Sequence, residues 1–110
     1  MIIANRSLKL RKNGNDTDIA VRILAPQPSQ GSWTCNYEIE WPEGIRRGSA
    51  SGFDSIQALL FALKMIGAEI YTSDYHKSGA LMWTEPQQGY GFPVTQNLRD
   101  LLIGDDAKYL

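Results

Sequence analysis

Hydrophobic periodicity changes once in this chain, from two to nearly four, and the change falls at Gly52-Phe53-Asp54. Upstream, WTCNYEIEW puts Trp33, Cys35, Tyr37, Ile39 and Trp41 on one side and Thr34, Asn36, Glu38 and Glu40 on the other. That alternation predicts a strand with one core face and one wet face. Downstream, GFDSIQALLFALKMIG starts a helix: Asp54 is a good N-cap, and Gln57 three residues on completes a capping-box pair. At 100° per residue, Ile56, Leu59, Leu60, Leu63, Ile66, Gly67 and Ile70 share one broad stripe, the expected core face. Each well-buried member stabilises the fold by roughly 1.5–3 kcal/mol before entropy is counted. Gly67 in that stripe is expected to let the helix approach the sheet closely.

The rest of the chain fits around this pair. A first strand runs from near Ile2 to Leu10, and Asn13-Gly14 turns it into a second, Ile19 to Ala25. Pro26 and Pro28 end that strand, and Gln27 to Ser32 reads as a surface loop. After the turn Pro42-Glu43-Gly44, a fourth strand from Ile45 to Ser51 carries small residues that leave room for the helix. Beyond the helix, Ala80 to Trp83 reads as a short edge strand and Gln87 to Pro93 as a Gly-rich aromatic loop. Thr95 to Ile103 reads as a short helix capped by Gly104, with DDAKYL as a loose tail. The expected fold is one α+β domain over residues 1–110. Its centre is an antiparallel four-stranded meander on one long helix (about 54–72), with a short C-terminal strand and helix added.

The helix is apolar nearly all round. Gln57, Lys64 and Glu69 share its outer face with Ala58, Phe61, Ala62, Met65 and Ala68. Such a helix is covered on both sides. The cover for Phe61 and Met65 is either the C-terminal segment or a second copy of the chain.

The totals exclude several function classes. Eleven basic against twelve acidic residues give a net charge of -1, and Arg46-Arg47 is too short for a basic patch, so nucleic acid is not an expected partner. One Cys and one His among scattered carboxylates show no metal-ligand spacing, and no cofactor motif is present; Gly89-Tyr90-Gly91 lacks the third glycine of a nucleotide fingerprint. The lone Cys35 allows no internal disulfide. The N-terminal residues lack a leader pattern, and no apolar run approaches the roughly 20 residues that span a bilayer. No membrane association is expected, and a cytoplasmic location is.

Trp33-Thr34-Cys35 and Tyr37, followed by Gly52-Phe53-Asp54-Ser55-Ile56-Gln57-Ala58-Leu59, resemble the signature of a family of small bacterial domains of unknown function. In that family a Trp-x-Cys strand precedes a Gly-hydrophobic-Asp-Ser-x-Gln-Ala-Leu helix start. The resemblance runs from about Trp33 to Ile70 and leaves the GYGFP loop outside. It implies a bacterial origin and a strand-then-helix core, and no activity.

Two functional readings follow. The first is a non-enzymatic protein-interaction domain, adaptor- or immunity-like, forming a homodimer through the Phe61/Met65 face or a sheet edge, with Tyr90 and Phe92 on the loop as further contact residues. The alternative is a small-ligand-binding protein or enzyme. Its pocket would lie between helix and sheet, walled by Trp33, Tyr37, Trp41 and Trp83, with His76 as the polar group. His76 could serve as a base oriented by Asp74 or Glu85, against the plainer reading of an exposed loop histidine. Cys35 reads as a small buried hydrophobe and Asp54-Ser55 as a helix cap, so neither supplies a nucleophile.

Overall fold

The structure is a computed structural model and describes residues 1–110. β1 (Ile2–Lys12) and β2 (Asn15–Leu24) form a hairpin at Asn13-Gly14, where both residues take positive φ, 53° and 78°. That backbone twist matches the twist of the flanking strands. β4 (Ser32–Trp41) and β5 (Gly44–Gly52) pair antiparallel along their whole length, and β4 also pairs with β2. The expected four-stranded meander is therefore β1-β2-β4-β5. Two short strands raise the count to six. β3 (Gln27–Ser29) continues the line of β2 along β4, and β6 (Leu81–Met82) adds to β1 at the opposite edge. The segment read as a surface loop hides β3 because Pro28 signals a break. Gln30-Gly31, both at positive φ, nonetheless make a second tight hairpin turn.

Alternation along β4 is as expected. Cys35, Tyr37 and Ile39 are buried, and Glu38 on the wet face meets Arg22 at 3.4 Å and Arg47 at 3.3 Å. Arg22 also pairs with Glu40. Arg46, one residue from Arg47, points to the other face and pairs with Glu69 of the helix at 2.9 Å. Period two in β5 separates the two arginines.

One helix, α1 (Ser55–Tyr71), covers the inner face, lying over β4 and β5. Asp54 accepts the Gln57 amide at 2.8 Å, and Gln57 returns an acceptor to the Phe53 amide at 2.7 Å. The contact face is rotated from the expected stripe. Ala58, Ala62, Ile66 and Ile70 are buried, whereas Ile56 is 75% exposed and Leu60 is also on the outside. The reason is the distance between helix and sheet at the start of α1. A Cβ on Gly52 would sit 2.5 Å from the Ala58 backbone nitrogen, so only alanine-sized side chains fit beneath this end. Ile56 and Leu60 are turned outward by their bulk, while Leu59 and Leu63 stay half-buried against the core.

The second half of α1 is buried on a second side by the C-terminal segment. α2 (Asp74–Lys77) leads to β6, residues 89–94 cross the helix, a 3₁₀ turn spans Gln96–Leu101, and α3 (Gly104–Tyr109) follows. Gly67 serves this crossing rather than the sheet: a Cβ there would meet the Pro93 carbonyl oxygen at 1.9 Å. The expected helix from Thr95 to Ile103 is a 3₁₀ turn, and Gly104 at φ 54° starts α3 instead of ending a helix. The tail expected to be loose is α3, with Asp106 in the core. No helix of the chain is long and apolar enough to cross a membrane.

The Gly67 contact can be tested. Alanine is the better helix former by about 1 kcal/mol. The backbone clash outweighs that gain, so Gly67→Ala is expected to destabilise by about 2–3 kcal/mol in urea titration. A neutral or stabilised variant would show that residues 93–94 do not cross here.

Candidate functional site

The largest concentration of buried polar chemistry joins the two ends of the chain. Asp106, 3% exposed, accepts the Tyr71 hydroxyl at 2.5 Å and the Tyr90 amide at 2.8 Å on one oxygen, and the Gly91 amide at 2.8 Å on the other. From the opposite side, Arg6 of β1 donates to the carbonyls of Tyr90 at 3.1 Å and Gly91 at 3.0 Å. The guanidinium lies between aromatic rings, 3.9 Å from the Trp83 centroid and 4.9 Å from that of Phe92. One stretch of backbone is thus held by a carboxylate on its N–H groups and a cation on its carbonyls. Glycine is required for the fit: a Cβ on Gly89 would meet the Asp106 carboxyl at 2.4 Å, and one on Gly91 would meet Arg6 at 2.6 Å. Burial lowers the Arg6 pKa, and the Asp106 charge works against that.

His76 caps this cluster. With the ring neutral, Nδ1 accepts from the Tyr90 hydroxyl at 2.6 Å. The imidazole lies edge-on to Tyr71 and Tyr90, with centroids 4.9 and 5.5 Å away. Burial holds its pKa below the ordinary histidine value. The same burial pushes the Tyr90 phenol up to about 12 and raises that of Tyr71, where the Asp106 hydrogen bond adds to it. Every group is engaged with another protein group. The arrangement can hold backbone in place; it presents no nucleophile with an adjacent free base.

The five residues expected to wall a ligand pocket do not converge. Trp33 and Trp41 sit at opposite ends of β4, eight residues and roughly 26 Å apart. Tyr37 runs beneath α1 across Gly48, where a Cβ would be 2.3 Å from its ring, and donates to Glu69. Trp41 stacks on Tyr75 at 5.1 Å, Trp83 on Arg6, and His76 is hydrogen-bonded edge-on to Tyr90. Of five surface cavities, one is lined by Tyr37 alone among these residues and the other four by none of them. Packing between helix and sheet has consumed the expected pocket. Cys35 is fully buried with its thiol pKa raised by burial, and Asp54 caps α1. Nowhere do three His, Cys, Asp or Glu side chains come together as metal ligands.

The four residues expected at an interface divide. Tyr90 and Phe92 are 2% and 3% exposed and belong to the core, so the GYGFP loop is not a contact surface of the folded chain. Its aromatic side chains fill space under the loop while its glycines let Arg6 and Asp106 reach the backbone. Phe61 and Met65 remain 39% and 41% exposed. The C-terminal segment comes only to their border: Thr95 and Gln96 line a cleft of about 380 Å³ with Phe61, Lys64, Met65 and Ser49 to Ser51 of β5. Phe53 beside them is 90% exposed. Arg6, Tyr71 and Asp106 are not marked by the sequence, since nothing local in ANRSLK or GDDAKY signals a buried charge. Only the two glycines around Tyr90 signal a close approach.

Two measurements check the cluster. Asp106→Ala leaves two amides and a hydroxyl without an acceptor, and is expected to cost about 3–5 kcal/mol in urea unfolding. The unfolded His76 takes up its proton near pH 6.5 and the folded one only at lower pH. The unfolded state therefore binds more protons in that window, and stability falls as pH drops below about 6.5. His76→Asn, which keeps an acceptor near the Nδ1 position, is expected to shrink the loss between about pH 7.5 and about pH 5.5. An equal loss in wild type and variant would remove His76 as its source.

Searches of curated proteins and of solved structures find no match to this chain. A family model does match, and it spans residues 4–94, thus taking in the meander, α1 and the GYGFP loop that the shorter resemblance left outside. By that match over most of its length, the chain belongs to the family described as a domain of unknown function, DUF6968.

Proposed function

We propose that this chain is a non-enzymatic protein-interaction domain, in the manner of small bacterial adaptor or immunity proteins, and that it docks as a homodimer through the outer side of α1. The observation that carries this reading is the apolar strip of Phe53, Phe61 and Met65, left uncovered beside β5 after the C-terminal segment has taken the other side of the helix. The fold is complete without these side chains in the core, yet they stand together along one edge of the molecule. Contiguous apolar surface next to small and polar residues is characteristic of docking sites. The engaged state of His76, Tyr71, Tyr90 and Asp106 weighs against a catalytic role for the polar cluster. The dispersed tryptophans weigh against a ligand pocket.

Solution mass by light scattering tests the proposal, for wild type and for Phe61→Glu combined with Met65→Glu. The wild type is expected at twice 12.3 kDa and the double variant at 12.3 kDa, with unchanged circular dichroism. Because both side chains are exposed, the variant's own fold is expected to lose less than about 1 kcal/mol. A wild type that stays monomeric at every concentration overturns self-association. An unfolded variant would mean the strip belongs to the core.

A further inference from the structure

β5 is an edge strand of nine residues that pairs only with β4, along its whole length and without a bulge. Its outer backbone groups have no strand to bond. Edges of this kind are ordinarily shielded by proline, a bulge or an inward-pointing charge. Here the strand reads GIRRGSASG: its two arginines are committed to Glu69 and Glu38, and from Gly48 to Gly52 nothing larger than Ala or Ser stands in the way. The Phe61/Met65 cleft opens directly above this stretch.

We infer that the partner is a second copy of the chain, joined by antiparallel pairing of the two β5 strands about a two-fold axis at Ser49. This rests on the self-association proposed above and names the surface that performs it. A two-fold axis perpendicular to the sheet keeps both helices on one face. Strands lie about 4.8 Å apart and α1 sits over β4 and β5, so the helix axes come to about two strand spacings, or roughly 10 Å. That is the distance at which helices pack. One operation thus satisfies the open edge and covers Phe61 and Met65 with their own counterparts. An extended peptide from another protein would satisfy the edge alone.

Side-chain chemistry chooses the register. With Ser49 opposite itself, Arg47 faces Ser51 of the second copy, Arg46 faces Gly52, and Gly48 faces Ala50. Ile45 comes level with the exposed Phe53. An axis at Arg47 sets like charges face to face. One at Gly48 opposes Ile45 to Ser51 and leaves Phe53 uncovered, and one at Ala50 pairs only the five residues from Gly48 to Gly52.

Ser49→Cys tests the register in the full chain, because Cys35 is fully buried and supplies no competing thiol. Directly opposed residues in an antiparallel pair lie within disulfide reach. With oxidised glutathione, Ser49→Cys is expected to form a covalent dimer far faster than Thr84→Cys, an exposed control. Ser51→Asp sets a carboxylate against Arg47 of the second copy twice over, and is expected to tighten dimerisation roughly two- to thirty-fold. Ser49→Lys, exposed in the monomer, is expected to give a folded chain of 12.3 kDa. A wild-type dimer that Phe61→Glu with Met65→Glu dissociates, but in which Ser49→Cys links no faster than the control and Ser51→Asp leaves the affinity unchanged, overturns the β5 pairing and leaves the helix-face dimer standing. A monomeric wild type overturns both.

Discussion

The Tyr90-Gly91 backbone, gripped by Arg6 on its carbonyls and Asp106 on its amides, ties together parts of the chain that no local interaction would bring near each other. Arg6 belongs to the first strand, Asp106 to the last helix, and Tyr71, which also bonds Asp106, to the end of α1. Deep burial of a carboxylate is costly unless its lone pairs are filled, and here three donors fill them. The same three donors would be orphaned without it. The C-terminal segment is consequently part of the folded core, and the second side of α1 is closed from Gly67 to Tyr71.

That closure determines where the molecule is left open. Residues 89–94 cross α1 at Gly67, so Phe53 ahead of the helix, Ile56, Leu60 and Phe61 in its first half and Met65 just past its middle stay at the surface. At the sheet, Tyr37, Glu69 and Arg46 hold α1 down across β5 through Gly48, which brings the helix close to the open strand edge. An apolar helix flank and an unpaired edge lie side by side because the same small residues of β5 that admit the helix also leave the edge bare. This corner is the surface on which the proposed association rests.

Local patterns foretold much of the architecture. Strict alternation in β4 follows from a sheet wetted on one face, and Asp54 with Gln57 marks the start of α1 because capping needs only neighbouring residues. The face of α1 was less legible. Periodicity weighs apolar side chains by hydrophobicity, whereas contact here is decided by how near the backbones approach, and Ala58 and Ala62 win that place over Ile56 and Leu60. Tyr90 and Phe92 misled for a related reason: glycines around aromatics describe a flexible exposed loop and a tightly clasped buried one equally well.

By itself the sequence determined the α+β class, the central meander, the single long helix and the near-neutral charge. All of these rest on interactions between residues close in the chain or on sums over it. Only the tertiary structure decided that α3 is anchored, that the histidine and tyrosines are spent on one another, that the tryptophans share no pocket, and that Phe61 and Met65 stay uncovered. Those outcomes depend on pairs separated by up to 85 residues, such as Arg6 with Gly91, and on contact distances that a pattern of residue types does not carry.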